Sequence, residues 1–203
     1  MTSTPDRILL VEDDAALRTM LRSMLELHDF KVSEAEHRDA ALALLRENTD
    51  IAVVILDCGL PPHAHQITEG IEILKAIQAE IMPVKVIVLT GQEQAAALEA
   101  IREGAFDFLA KPASTEVLLH AVRRALLFLQ KERELSHEGV TRIAFNAQVS
   151  EGPKGVGSDA EQRLVRQVLK ATGFNVYQSA KRLGVKRETI YYFMKKFGIH
   201  RDD

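Results

Sequence analysis

The chain has 203 residues, 46% hydrophobic and 27% charged, with one cysteine and a net charge of −3, which suits a globular protein of one large domain or of a medium one and a small one. Cys58 alone excludes an intramolecular disulfide and a zinc site built from several thiolates. The longest apolar runs, such as Ile51–Leu56, fall far short of the roughly 20 residues that span a membrane, and Met1–Asp6 carries no charged-then-apolar leader, so a cytoplasmic protein with no membrane partner is expected.

The charge is unevenly spread. Residues 160–203 hold ten basic and four acidic side chains, a net of +6, which leaves −9 on the remainder. An acidic body with a basic tail points to two jobs, and the basic part is a candidate for nucleic acid.

In chain order, Arg7–Val11 is a short apolar run that reads as a strand. Glu12, Asp13 and Asp14 follow; then Leu17, Leu21, Met24 and Leu25 recur at helical spacing, with Asp13 or Asp14 placed to cap that helix. Phe30–Ala35 predicts a second strand, and Ala40, Ala41, Leu44 and Leu45 the next amphipathic helix. Ala52–Leu56 is a continuous, β-branched run that suits a strand buried on both faces. Ile71, Leu74, Ile77 and Gln78 fall on a helix, Val84–Leu89 on a strand, and Gln92–Arg102 on an alanine-rich helix that Gly104 ends. Phe106–Leu109 is a last short strand. Ser114 or Thr115 then caps a helix, with Glu116 in its first turn, that runs to about Leu135.

Five strands alternating with five helices imply an α/β fold, a parallel sheet covered on both faces with right-handed crossovers. Residues 136–158, rich in glycine and without periodicity, read as a flexible linker. Three short helices are expected beyond it, at 160–172, 176–183 and 187–196, with Gly173, Gly184 and Gly198 at their ends. The expected domains are therefore 1–135 and 159–203, the second too small to be more than marginal alone.

Asp13 and Asp14 follow strand one, Asp57 ends strand three, Thr90 ends strand four and Lys111 follows strand five. All lie at carboxyl ends of strands, where ligands bind in such sheets. Carboxylates gathered there repel one another and need a cation; magnesium, held by one or two carboxylates with phosphate and water, suits the set. Lys111 and the Thr90 hydroxyl can meet a phosphate oxygen, and Asp57 can act as a nucleophile that forms an aspartyl phosphate.

Glu12-Asp13-Asp14, Ile55-Leu56-Asp57-Cys58-Gly59-Leu60-Pro61, Leu89-Thr90-Gly91 and Leu109-Ala110-Lys111-Pro112 resemble the motifs of response-regulator receiver domains, over about residues 6–130. The resemblance implies a flavodoxin-like, doubly wound five-stranded sheet of order 2-1-3-4-5. It implies that Asp57 takes a phosphoryl group from a sensor histidine kinase, and that Asp13, Asp14, Asp57 and the backbone carbonyl of Gly59 hold Mg2+. Thr90 and Lys111 would bind the phosphoryl group, and Phe108 would move with Thr90 as the switch. The output face would lie on residues 92–102 and 114–130. Pro61–Gly70 departs from the pattern, being longer than the usual loop; its His63 and His65 read as exposed side chains sooner than metal ligands.

The second unit carries a short helix, a glycine turn and a basic second helix, the helix-turn-helix pattern, which would set the second helix in the major groove of double-stranded DNA. The stretch AKRLGVKRETIYYFMKKFGI resembles the Fis-type helix-turn-helix. By that resemblance Arg187 and Thr189 face the bases, Lys195 and Lys196 meet phosphates, and Asn175 approaches the backbone; Lys186 and Tyr191 complete the expected set. Tyr191 and Tyr192 stand where relatives are often basic, and fit packing or dimer contact as well as DNA contact. Such domains usually dimerise through their first helix, here by Leu164, Val165 and Val168, so a homodimer is expected, at least when phosphorylated or DNA-bound.

Relatives often hold an ATPase domain between these two parts. The gap here is too short for one, and no G-x-x-x-x-G-K-[ST] loop occurs, so the expected role is DNA occupancy. No enzyme activity is expected beyond autophosphorylation from a phosphodonor and autodephosphorylation. A dehalogenase-like phosphatase would need an aspartate two residues after the nucleophile, where this chain has Gly59. A phosphorylation-dependent adaptor, with a protein bound to the C-terminal unit, is the remaining alternative.

Overall fold

The structure, a computed structural model, describes residues 7–63, 66–91, 94–138, 140 and 152–200. Five strands, β1 (Arg7–Val11), β2 (Lys31–Ala35), β3 (Ile51–Leu56), β4 (Lys85–Thr90) and β5 (Asp107–Ala110), alternate with helices α1 (Ala15–Glu26), α2 (Arg38–Glu47), α3 (Thr68–Ala79), α4 (Gln94–Arg102) and α5 (Thr115–His137). All pairings are parallel, in the order β2-β1-β3-β4-β5. The α/β fold and strand order are those expected from the sequence. Small differences at the ends reflect hydrogen bonding: β2 begins at Lys31, and β4 reaches Thr90 because it pairs with β5 as far as Ala110.

The sheet separates two cores. Along β1, Leu9 and Val11 face one side, and Ile8 and Leu10 the other. Ala41 and Leu45 of α2, Ile71, Leu74 and Ile77 of α3 and Ala100 of α4 cover the first face; Leu21 and Leu25 of α1 and Leu118, Val122 and Leu129 of α5 cover the second. β3, buried throughout, serves both. Its alternation breaks at Ala52–Val53, which both face the second core, and there the β1·β3 register shifts between Arg7 and Ile8. A bulge of this kind re-aims side chains locally.

The chain divides into two compact units, Met1–Arg133 and Glu134–Asp203. The second contains α6 (Gly152–Ala171), α7 (Val176–Leu183) and α8 (Arg187–Phe197). Helix α6 begins at Gly152, inside the segment read as linker, and α5 runs through His137 at its other end; residues 141–151 lie outside the described residues. Asn175 caps α7 by accepting from the Gln178 N–H at 3.1 Å. Gly184 ends α7 at φ 66°, the left-handed conformation that lets the chain turn sharply into α8.

The unit's core joins Val165, Leu169, Ala180, Ile190 and Ile199. Of the three residues expected at a dimer interface, Leu164 is half-buried and the other two are buried. Val165 and Val168 are 2% and 6% exposed, so they are already covered within the chain. A unit this small uses the apolar face of its first helix to build its own core. Among the described residues, no helix is long and apolar enough to cross a membrane.

Candidate functional site

Sheet hydrogen bonds continue past the strand ends and position the first site. Glu12 N–H donates to Ala35 O, Asp57 N–H to Val11 O, and Lys111 N–H to Thr90 O, at 2.9–3.0 Å. These bonds bring the loops after β1, β3, β4 and β5 to one edge. Carboxylate oxygens of Glu12, Asp13 and Asp57 lie within 4.8 Å of one another. Glu12 and Asp57 are buried. Lys111 Nζ is 2.6 Å from Glu12 Oε2 and 2.7 Å from Asp57 Oδ2. Gly59 N–H donates to the other acceptor oxygen, Asp57 Oδ1, at 3.1 Å. Thr90 is 1% exposed at the end of β4, and Phe108, opposite Val88 on β5, packs on the first core.

Asp14 is elsewhere. Its Oδ1 accepts from Ala16 and Leu17 N–H at 2.8 and 2.9 Å, capping α1. Those bonds, the one from Leu17 foremost, hold its carboxyl below the ordinary range. The carboxylate that joins Asp13 and Asp57 in its place is Glu12. This corrects the pair Asp13 and Asp14. The sequence held the signal: an aspartate immediately before a helical apolar pattern is spent as a cap. Arg18 was missed altogether. From α1 its Nη1 donates to the carbonyls of Glu12 and Asp13 at 2.6 and 3.2 Å, fixing the acidic loop.

Charge and burial compete here. Burial pushes Glu12 above its ordinary value and the nearby Asp57 adds to this, against the pull of Lys111. Burial also opposes the charge on Lys111, but the hydrogen bonds to Asp57 and Glu12 outweigh it and hold its pKa above the usual lysine range. Three carboxylates against one ammonium leave a negative excess among all-oxygen donors. Such a set fits a hard divalent cation such as magnesium. In the loop after Asp57, His63 pairs with Glu69 at 3.2 Å, and His65 lies outside the described residues.

The second site is the free face of α8. Lys186, Arg187, Tyr191 and Lys195 are exposed, Thr189 is half-buried, and Ile190 points into the core. Arg187, Tyr191 and Lys195 share one face at i, i+4, i+8 spacing. Lys196 lies to the side of it. Its Nζ is 2.7 Å from Glu161 Oε2 of α6, and it sits over the rings of Phe197 and Tyr192 at 4.7 and 5.9 Å. Asn175 uses its side-chain oxygen as the α7 cap.

Two family models match the chain: the response regulator receiver domain over residues 8–123, and the Bacterial regulatory protein, Fis family, over residues 158–197. The chain is similar to the C4-dicarboxylate transport transcriptional regulatory protein DctD of Rhizobium meliloti (strain 1021), 31% identical over 172 residues, 84% of this chain and 35% of that protein. It is also similar to the nitrate/nitrite response regulator protein NarP of Escherichia coli (strain K12), 27% identical over 194 residues, covering 93% and 85%. The chain spans about a quarter to a half of the length of several other curated relatives it matches. Among solved structures, a CheY-like response regulator receiver domain protein from Methanospirillum hungatei JF-1 superimposes with a TM-score of 0.58 at 25% identity, covering 64% of this chain and 99% of that one. With the receiver match spanning more than half of its length and the acidic, threonine and lysine positions gathered at one sheet edge, this chain belongs to the response regulator receiver domain family.

Proposed function

We propose that this chain is the DNA-binding response regulator of a two-component system, a cytoplasmic protein switched by phosphorylation of Asp57. The observation that carries the reading is the convergence of Glu12, Asp13, Asp57 and Lys111 at the carboxyl edge of the sheet, in a chain whose second unit exposes Arg187, Tyr191 and Lys195 on one helix face.

The Asp57 carboxylate attacks the phosphorus of a phosphohistidine on a sensor kinase. The P–N bond breaks, and the imidazole leaves with its electron pair. Attack by water on the acyl phosphate later returns inorganic phosphate and free Asp57, so the chain's chemistry is confined to its own modification. Asp13 and Asp57, together with Glu12 and the backbone carbonyl of Gly59, would hold Mg2+. When bound, the metal supplies charge neutralisation between the carboxylate and the incoming phosphoryl oxygens. Lys111, now shared between Glu12 and Asp57, follows the new charge onto a phosphoryl oxygen, and the Thr90 hydroxyl donates to the same group. Phosphorylation adds about −1.5 to −2 charge at the site. Thr90 and Phe108 then shift together and alter the face of α4, β5 and α5, where Leu98, Ile101 and Val117 are exposed.

The second unit, 159–203 with the helical lead-in from Gly152, binds double-stranded DNA as a homodimer. Arg187, Thr189 and Tyr191 address base edges; Lys186, Lys195 and the Asn175 end of α7 address the backbone. Lys196 braces α8 against α6 and reaches phosphate only by giving up Glu161.

Selection of random duplexes by the full chain, with and without magnesium and beryllofluoride, tests this. An enriched, roughly palindromic site whose recovery depends on beryllofluoride in wild type and not in Asp57→Asn is expected, with affinity falling steeply in salt. No enrichment in either state would sink the DNA reading in favour of a phosphorylation-dependent adaptor.

A further inference from the structure

The long segment between Asp57 and α3 meets a buried carboxylate of α3 through His63. Glu69, in the first turn of α3, is a carboxylate only 5% exposed. Its Oε2 lies 3.0 Å from Arg38 Nη1 at the start of α2, and its Oε1 lies 3.2 Å from His63 Nδ1 in the loop. A buried carboxylate is costly unless paired, so these two partners decide where the first turn of α3 sits.

The next residue, Gly70, has no room for a side chain. A Cβ there would stand 2.6 Å from Cys58 Cα and 2.8 Å from Cys58 Sγ. Helix α3 therefore bears directly on the residue that follows Asp57. From Cys58 the constraint passes to Gly59, whose N–H donates to Asp57 Oδ1 and leaves Oδ2 to Lys111.

We propose that Glu69 is a positioning residue for the acceptor aspartate: the Arg38–Glu69–His63 clamp seats α3 against Cys58 and thereby holds Asp57–Gly59 in the geometry that takes a phosphoryl group. This rests on Asp57 being the acceptor. A second, more exposed ion pair between the same helices supplies a control. Arg46 and Glu80, 2.6 Å apart, join α2 and α3 at their opposite ends, away from Asp57.

The test is phosphorylation of the full chain by acetyl phosphate with magnesium, followed by intact-protein mass spectrometry. Glu69→Gln and Arg38→Gln lower the limiting rate about tenfold, because a misplaced nucleophile loses its attack geometry, while the donor concentration at half-maximal rate stays put. The double variant is no slower than the slower single one, since both break one device. Arg38→Lys, which keeps the charge, recovers part of the rate, and Arg46→Gln reacts as wild type. Wild-type rates in Glu69→Gln and Arg38→Gln overturn the proposal. So does an Arg46→Gln variant slowed as much as Arg38→Gln, which would mean that helix cohesion alone matters. If Glu69→Gln does not fold, Arg38→Gln decides, because its side chain is 38% exposed. If wild type takes up no more phosphoryl than Asp57→Asn, the acceptor reading itself fails and this one falls with it.

Discussion

Replacing Lys111 by methionine isolates the electrostatics of the acidic edge. The side chain stays unbranched, one atom shorter, and loses a charge that sits 2.6 Å from Glu12 and 2.7 Å from Asp57. The side chains of Glu12 and Asp57 are 3% and 11% exposed, so water replaces little of what the ammonium supplied. Stripping one partner from a buried pair costs about 3–5 kcal/mol. Lys111 itself is 22% exposed, which argues for the lower end, about 3 kcal/mol. With a urea dependence of about 2 kcal/mol per molar, the midpoint falls by about 1.5 M at pH 7 without divalent ions. The sign of the pH dependence follows from Glu12. Burial raises its pKa above the ordinary 4.5 even with the lysine present; without the lysine the rise grows. The folded variant then holds a proton that the unfolded chain releases, so its deficit is greatest at neutral pH and shrinks as pH falls through the Glu12 pKa. Lys111, raised above 10.5, keeps its own contribution across the neutral range and loses it only in strong alkali. Far-UV circular dichroism in urea at pH 7 and pH 4.5 measures both effects. Tyrosine emission separates the units, because all three tyrosines, Tyr177, Tyr191 and Tyr192, lie in the second. Equal midpoints at pH 7, or a deficit that does not change with pH, would refute the reasoning; magnesium that restores the variant's midpoint by mass action would support it.

Cys58, 1% exposed and with its thiol pushed up to about 12 by burial and by Asp57, resists iodoacetamide at pH 8 in the native chain and reacts once urea unfolds it. Asp14→Ala lowers the melting temperature at neutral pH; the gap between wild type and variant closes as pH falls below about 3.8, because the depressed pKa means the cap is lost by protonation. Ile190→Ala empties a fully buried position in the core of the second unit. The expected loss of about 2–5 kcal/mol rivals the whole stability of so small a unit, so its tyrosine emission reports an unfolded or broadly melting unit at 25 °C.

Much of the α/β unit is legible from short-range pattern. The Ala52–Leu56 run reads as a doubly buried strand because nothing in it is polar, and Arg7–Val11 reads as a strand from its short apolar run, although which of its residues face which side is settled only by the packing. Asp57, Thr90 and Lys111 follow because strand ends are readable and the sheet brings them together. What escaped depends on side-chain direction or on distant partners. Asp14 turns back onto α1 while Glu12 turns inward. Arg18 reaches carbonyls five and six positions behind it. Lys196 is drawn to Glu161 across α6 and α8. Arg38, Glu69 and His63 meet only because α2 and α3 pack side by side, which no local periodicity announces. The start of α6 was missed because glycine and proline, weak helix formers, occupy its first turns.

The strand order has a last consequence, for colloidal behaviour. β2 and β5 form the two margins of the sheet, where backbone donors and acceptors face outward and another chain could pair. One margin is Lys-Val-Ser-Glu-Ala, with Glu34 tied to Arg22; the other is four residues long, with Asp107 tied to Arg124. Charge and brevity make both poor templates for addition of a further strand. The segment with the greatest tendency to self-associate, Ile51–Leu56, is enclosed between β1 and β4. Aggregation of this protein should therefore track the population of chains that have opened the sheet, and not the concentration of folded ones.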